Sequence, residues 1–239
     1  MRRTVTNAVR AVSIGLTLGA IAAQPAVAGS RPRADFSMDL SATRPNRATA
    51  IHLQILYKGR DPQGKPSPIR RIVLRAPKGT RFDPRALPRC AATDQELLAY
   101  GDDACPPASR LGAGTLTAMT GLPGAAGTVV TDVTIYNTAT GNVELVKEAS
   151  SGKPVATDRF RIQGRTWTAN PPDTPGGPPD GKTAVRRIDF TYAPKARWAI
   201  TPRGCPAGRR WHSSGAFTYA DGVTAKVPDT TPCKRPPPR

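Results

Sequence analysis

The chain has 239 residues, a formal net charge of +18 at pH 7, 26 prolines, four cysteines and only two histidines. With His52 and His212 as its only imidazoles, it lacks the H-E-x-x-H motif and the three-histidine sets of zinc hydrolases. Glycine loops that cradle phosphates at the start of a helix are absent too. The excess of basic residues instead favours partners that carry negative charge.

The first residues have the features of an export signal. Arg2, Arg3 and Arg10 precede an apolar run over residues 11–23, and Ala26-Val27-Ala28 is a small-x-small cleavage site. We therefore predict a secreted protein whose signal peptide, residues 1–28, is cleaved after Ala28. The alternative is an uncleaved anchor, but the apolar run is shorter than the roughly 20 residues that span a bilayer. No membrane span is expected in the mature chain.

Apolar and polar residues alternate through most of the remaining chain, which is typical of half-buried β-strands. In residues 51–57, for example, the alternation places His52 and Gln54 on the face opposite the apolar side chains. About ten short strands predict an all-β fold, an antiparallel β-sandwich of the Ig-like or jelly-roll-like kind. The strand candidates are residues 36–40, 51–57, 69–76, 114–119, 128–136, 143–147, 159–163, 185–192, 197–200, 211–219 and 223–227.

One short helix is expected after Cys90. Thr93 and Glu96 have the spacing of a capping box, Leu97 and Leu98 supply an apolar face, and Gly101 can end the helix.

The four cysteines are Cys90, Cys105, Cys205 and Cys233. An even number in an exported chain predicts two disulfides, for which three pairings exist. The spacing favours Cys90 with Cys105 and Cys205 with Cys233, since each pair closes a short loop that contains turn residues. A zinc site would need closer cysteine pairs, so no metal site is predicted.

Residues 170–181 are rich in proline and glycine and cannot form a strand or a helix. If they were a linker, residues 182–239 would form a second unit too small for a robust core. We therefore expect one sandwich domain over residues 29–233, with 170–181 as an exposed loop and residues 234–239 as a basic, proline-rich tail.

Two turns are predicted from their residues. Asp221-Gly222 indicates a type I′ hairpin turn. Residues 138–142 join two strand candidates, with Gly141 as the expected left-handed residue.

Three groups of residues are candidates for a catalytic, a calcium or a carbohydrate site, and each also has a structural explanation. Ser213 and Ser214 lie beside His212, but a solvent-facing histidine on a strand accounts for this pattern as well. Asp102 and Asp103 are two carboxylates in one loop, whereas calcium needs six or more oxygen ligands. Three tryptophans, Trp167, Trp198 and Trp211, would form a carbohydrate-binding platform if they shared an exposed face. Otherwise they would belong to the core.

Charge is distributed unevenly, because two basic flanks, residues 29–89 and 151–239, enclose an acidic middle. The basic doublets are Arg70-Arg71, Arg186-Arg187 and Arg209-Arg210. Neighbours on a strand point to opposite faces, so these doublets do not by themselves predict a continuous basic stripe. Anionic cell-wall polymers or acidic polysaccharides are the expected partners, without specific nucleic-acid recognition. An arginine-rich composition can also arise in a GC-rich genome without any ligand, and this alternative stays open.

The segments around the cysteines carry a resemblance. They are Leu87-Pro88-Arg89-Cys90, residues 104–114 (ACPPASRLGAG), Val133-x-Ile135-Tyr136-Asn137, residues 201–206 (TPRGCP) and residues 217–222 (FTYADG) before Cys233. In these segments the chain resembles a group of uncharacterised secreted actinobacterial proteins. The resemblance implies export, two local disulfides and a β-rich fold, and it implies no activity and no functional residue.

These observations favour an exported, non-enzymatic module that binds noncovalently or has a structural role near the cell envelope. No cofactor and no catalytic residue are predicted, and the ligand-binding residues cannot be assigned from the sequence. The alternative function is a secreted hydrolase that acts on polysaccharide through paired carboxylates, which meet in space and not in sequence.

Overall fold

A computed structural model of the protein describes residues 32–59, 64–195 and 197–234. The predicted signal peptide and all but the first residue of the basic tail lie outside the described residues. The strands are β1 (Ala34–Leu40), β2 (Ile51–Tyr57), β3 (Ile69–Arg75), β4 (Arg81–Phe82), β5 (Arg110–Met119), β6 (Thr128–Asn137), β7 (Gly141–Glu148), β8 (Pro154–Gln163), β9 (Thr166–Ala169), β10 (Ala184–Tyr192), β11 (Ala199–Ile200), β12 (Arg210–Tyr219) and β13 (Thr224–Pro232). The helix is α1 (Asp94–Tyr100), and short 3-10 turns span Gly101–Ala104, Pro107–Ser109 and Gly124–Gly127.

Eleven strands form one antiparallel sheet in the order β1-β2-β10-β5-β6-β7-β8-β9-β3-β12-β13, and β4 pairs with β11 in a small second sheet. The large sheet curls until its two edge strands, β1 and β13, lie side by side. Side chains satisfy the backbone at this seam: Met38 N–H donates to Asp229 Oδ2 (2.8 Å), and the Thr231 hydroxyl donates to the Met38 carbonyl (3.0 Å). The predicted antiparallel all-β fold with one short α-helix is confirmed. Where a sandwich has two separate sheets, this protein has a single barrel-like sheet whose opposite walls face each other.

The interior of the sheet is a largely aromatic and aliphatic core. Strand β2 shows how it forms, because Ile51, Leu53, Ile55 and Tyr57 alternate inward and are at most 1% exposed. Elsewhere the ring of Tyr192 lies 5.0 Å from that of Trp167 and stacks on Trp198 at 5.8 Å.

The helix begins and ends where its capping residues predict. The Thr93 hydroxyl accepts from the Glu96 N–H (3.2 Å), and the Glu96 carboxylate accepts from the Thr93 N–H (2.7 Å). Gly101 ends the helix with φ 62°. Leu97 is fully buried, but Leu98 is 42% exposed, so only one of the two leucines supplies the apolar face.

A second, smaller core lies on the outside of the sheet under this helix. Leu97 and the disulfide Cys90–Cys105 pack against Val143 and Leu145 of β7. Strand β7 is therefore buried on both faces, since its other side chains point into the main core.

Both disulfides join the cysteine pairs that the spacing favours. Their Cα atoms are 4.9 Å apart in Cys90–Cys105 and 5.6 Å apart in Cys205–Cys233. The second bridge ties the segment before β12 to the end of β13 and so fastens the last hairpin. Among the described residues no cysteine is free.

Residues 170–181 connect β9 to β10, and both strands belong to the large sheet. The segment is thus a loop between strands that share one core. Lys65, whose side chain is 2% exposed, holds this loop through Asp180 at 2.8 Å. No helix in the described ranges has the length and apolar character needed to cross a bilayer.

Two turn predictions were wrong in detail. The β12–β13 hairpin forms, but of the predicted central residues Asp221 and Gly222 only Gly222 has a positive φ (81°), so the turn is not type I′. Gly141 is not left-handed. It is extended at the start of β7, where a Cβ atom would come within 2.0 Å of the Phe160 carbonyl oxygen.

Candidate functional site

The serine and histidine candidates on β12 do not form a catalytic pair. His212 is exposed on the outer face, whereas Ser213 is 5% exposed and points inward to Asp229 (3.5 Å). Ser214 lies on the outer face with His212, and no hydrogen bond joins them. Strand alternation separates Ser213 from His212, and Ser214 shares a face with the histidine without a hydrogen bond to it, so neither serine is paired with a base.

His52 belongs to a surface cluster on the opposite wall. Its Nε2 lies 2.8 Å from Asp189 Oδ1, while Gln54 and Arg187 donate to Asp189 Oδ2 at 2.9 and 3.0 Å. Partial burial raises the pKa of Asp189, but these hydrogen bonds, that of His52 foremost, hold it below its ordinary value. The cluster holds no hydroxyl nucleophile within hydrogen-bonding distance of His52, so it is a charge-paired surface group.

The three tryptophans are core residues, so the carbohydrate platform was wrong. Trp167, Trp198 and Trp211 are at most 2% exposed. Trp198 donates to Asn137 Oδ1 (3.2 Å), and Trp211 donates to the Gly204 carbonyl (3.0 Å).

The Asp102 carboxylate in the disulfide loop already has hydrogen-bond partners within the protein. It accepts hydrogen bonds from Lys147 and from the Tyr136 hydroxyl (2.7 Å), which fixes the disulfide loop on β6 and β7. Although partial burial raises the pKa of Asp102, the hydrogen bonds from Lys147 and Tyr136 lower it below its ordinary value. Asp102 and Asp103 therefore do not form a calcium loop.

A pair of carboxyl groups does exist, but it lies inside the sheet. Glu144 on β7 is 3% exposed and directly opposite Asp158 on β8. Glu144 accepts a long hydrogen bond from the Tyr192 hydroxyl (3.4 Å). Burial raises the pKa of Glu144 well above its ordinary value and that of Asp158 to about 6. Neither the pocket lined by Arg33, Lys58 and Lys65 nor the one lined by Arg89, Glu96 and Tyr100 includes either carboxyl group.

The outward-facing side chains of β8, β9, β3, β12 and β13 form a surface that we call the basic face. The strand register aligns them in rows that cross the five strands. One row holds Arg161, Thr168, Val73, Ala216 and Lys226, the next Gln163, Thr166, Arg75, Ser214 and Pro228, and a third Arg71, Thr218 and Thr224.

No outward-facing strand position of the basic face is an Asp or Glu. Four of its cations, Arg71, Arg75, Arg161 and Lys226, are exposed, and none of them has a salt bridge within the described ranges. Small and hydroxylated side chains lie between them. The surface is positively charged, and its four cations are exposed to solvent.

The strands outside the basic face carry outward-facing acids. Asp35 and Asp39 on β1, Asp189 on β10 and Asp132 on β6 occupy outward positions there. Arg187 on β10 and Lys147 on β7 face outward on these strands as well, so they carry both signs of charge, whereas the outward strand positions of the basic face carry no acid.

A second basic cluster, by contrast, is neutralised. Arg33, Lys58 and Lys65 line a pocket of about 180 Å³. Arg33 binds Asp221 through two hydrogen bonds (2.6 and 3.0 Å), Lys58 binds Asp35 (2.7 Å), and Lys65 binds Asp180 (2.8 Å). These cations hold loops and strand ends together and leave little positive potential for a ligand.

The arginine doublets in the sequence do not predict which residues form the basic face. Arg71 belongs to it, and its neighbour Arg70 is also exposed because the register shifts beside it. Arg186 turns inward and donates to the Gly64 carbonyl (2.7 Å). The face consists mainly of single basic residues from different strands, and only the register brings them together.

Comparisons with known proteins add little to this description. No protein-family model and no curated protein matches the chain. Among solved structures it is similar to the group B streptococcus pilus 2b backbone protein, with 10% identity and a TM-score of 0.29 over 82% of this chain and 55% of that chain. The chain thus spans about half the length of that protein. The fold defines the protein as a disulfide-stapled, all-β, barrel-like domain with a basic face on five neighbouring strands.

Proposed function

We propose that this protein is exported and that it binds anionic polymers of the cell envelope noncovalently through the basic face. The observation that carries the proposal is that the outward strand positions of the basic face carry no acid and that four exposed cations on them have no salt bridge to any residue that the structure describes. A polyanion with repeated charges can contact several of them at once and release its counterions, which drives such binding. The guanidinium groups of Arg71, Arg75 and Arg161 can also donate paired hydrogen bonds to phosphate or carboxylate.

Export is supported by the signal-like residues 1–28 and by the two disulfides, which form and persist in oxidising compartments. The resemblance to secreted actinobacterial proteins agrees with this location. Outside a cell, wall polymers and acidic polysaccharides are the polyanions that such a face would meet.

Retention of the exported protein on immobilised polymers tests the proposal. The polymers are a purified wall teichoic polymer, an acidic polysaccharide and dextran as the neutral control, in a series of salt concentrations. We expect retention on the two anionic polymers at low salt, loss by a few hundred millimolar salt, and none on dextran. Equal retention on dextran, or none on any polymer, would sink the proposal and leave the basic excess as a trait of composition.

A further inference from the structure

His212 occupies an outward position on β12 and so belongs to the basic face. It lies directly opposite Thr230 on β13 and two residues before Ser214, which in turn lies opposite Arg75 on β3. The His212 side chain is exposed, and no residue that the structure describes forms a salt bridge or a side-chain hydrogen bond with it. The imidazole is therefore available to a ligand that lies on this face.

The other histidine differs on each of these points. His52 lies on β2, which is not a strand of the basic face, and its Nε2 lies 2.8 Å from Asp189 Oδ1. The sequence contains no further histidine. The two imidazoles thus provide one candidate contact for a polyanion and one control within the same chain.

The charged side chains around His212 on its own face are cations. Arg210 lies two residues earlier on the same face, and its Nε donates to the hydroxyl of Thr230, the residue opposite His212 (2.8 Å). Arg75 lies diagonally across on β3, and Arg209 is the residue before β12. A negatively charged group bound between Arg210 and Arg75 would therefore lie beside the imidazole.

Carboxylates near His212 are further away or point elsewhere. Asp229 on β13 points inward and accepts from the Met38 N–H (2.8 Å). The outward-facing Asp35 and Asp39 lie on β1, beyond β13, at least two strand spacings or roughly 10 Å from β12. Salt at physiological concentration screens charges over that distance. These acids therefore do not compete with a polyanion for a protonated His212.

We propose that His212 makes binding to the basic face depend on pH, so that the exported protein holds polyanions more tightly in mildly acidic than in alkaline medium. The inference rests on the proposed function, because it concerns the same surface. A neutral imidazole adds no charge, whereas the imidazolium is a cation with two N–H donors. A bound polyanion favours the protonated form of a nearby imidazole, so binding and proton uptake reinforce each other.

Retention on immobilised dextran sulfate at two pH values tests the proposal, because sulfate esters stay charged at both. We expect the wild-type exported protein to bind about threefold more tightly at pH 5.5 than at pH 8, with a salt dependence steeper by about one ion. His212→Gln should remove this increment. His212→Lys, which is charged at both pH values, should bind at pH 8 about as tightly as the wild type does at pH 5.5. His52→Gln is the matched control and should keep the increment.

The matched control is needed because Asp158, whose pKa burial raises to about 6, also gains a proton between these pH values. It does so in both variants, so the difference between His212→Gln and His52→Gln reports His212 alone. Equal binding of the wild type at both pH values, or an increment that survives in His212→Gln, would overturn this inference and leave binding at the basic face intact. No retention of the wild type at either pH would overturn the inference together with the proposed function.

Discussion

Asp158 makes the stability of the protein depend on pH. Burial raises its pKa to about 6, so the folded protein holds this proton more tightly than the unfolded chain does. The stabilisation is therefore complete below about pH 4 and is lost as the pH rises through 6. Glu144 acts in the same direction, because burial raises its pKa as well.

We predict that Asp158→Asn gains stability relative to the wild type by about 2 kcal/mol between pH 4 and pH 8, a value reduced for the partial exposure of Asp158. Chemical denaturation of both proteins at several pH values measures this difference. Comparison of the two proteins cancels the contributions of other acids, such as Asp189, whose lowered pKa favours the folded state at higher pH. Parallel pH profiles of the two proteins would contradict the prediction.

The interior carboxyl pair could not be found from the sequence. Val143 and Leu145 mark one buried face of β7, and period-two alternation then assigns Glu144 to solvent. The alternation fails because the helix and its disulfide cover the outer face of β7, so both faces are buried. The prediction of a left-handed conformation at Gly141 was wrong for a different reason. Glycine is needed there because β8 approaches closely, and not because of a turn conformation.

The helix in the disulfide loop offers a matched test at the scale of an element. Leu97 is fully buried against β7, whereas its neighbour Leu98 is 42% exposed. We expect Leu97→Ala to lower the free energy of unfolding by about 3 kcal/mol and Leu98→Ala to lower it by less than about 1 kcal/mol. Equal losses in denaturant titrations of the two variants would show that the helix is not packed as described.

Elements with strong local signals were predictable and the others were not. The capping box of Thr93 and Glu96 predicted where the helix begins, and the alternation of apolar residues predicted both ends of β2 correctly. Strands β4 and β9 were missed because two and four residues are too few to show a period. The hairpin at Gly222 was predicted correctly but its turn type was not, because one left-handed residue is enough for the hairpin that forms.

At the scale of the whole molecule, the register of the sheet brings the cations of the basic face together. Local charge in the sequence showed basic flanks and an acidic middle, but it could not show which cations share a wall. Arg71, Arg161 and Lys226 are far apart in the chain and meet only because β8, β9, β3, β12 and β13 are neighbours. The disulfide Cys205–Cys233 fastens the hairpin that carries one side of this wall.

The most direct measurement compares two variants of equal net charge on the immobilised teichoic polymer. One replaces the basic-face residues Arg71, Arg75, Arg161 and Lys226 with Gln, and the other replaces Arg44, Arg85, Lys153 and Arg203, which lie in loops between strands. We predict that the first variant binds at least about tenfold more weakly than the wild type, with a salt dependence reduced by about three ions, while the second changes much less. Equal loss in both variants would mean that only net charge matters, and unchanged binding of the first variant would contradict the basic face as the binding surface.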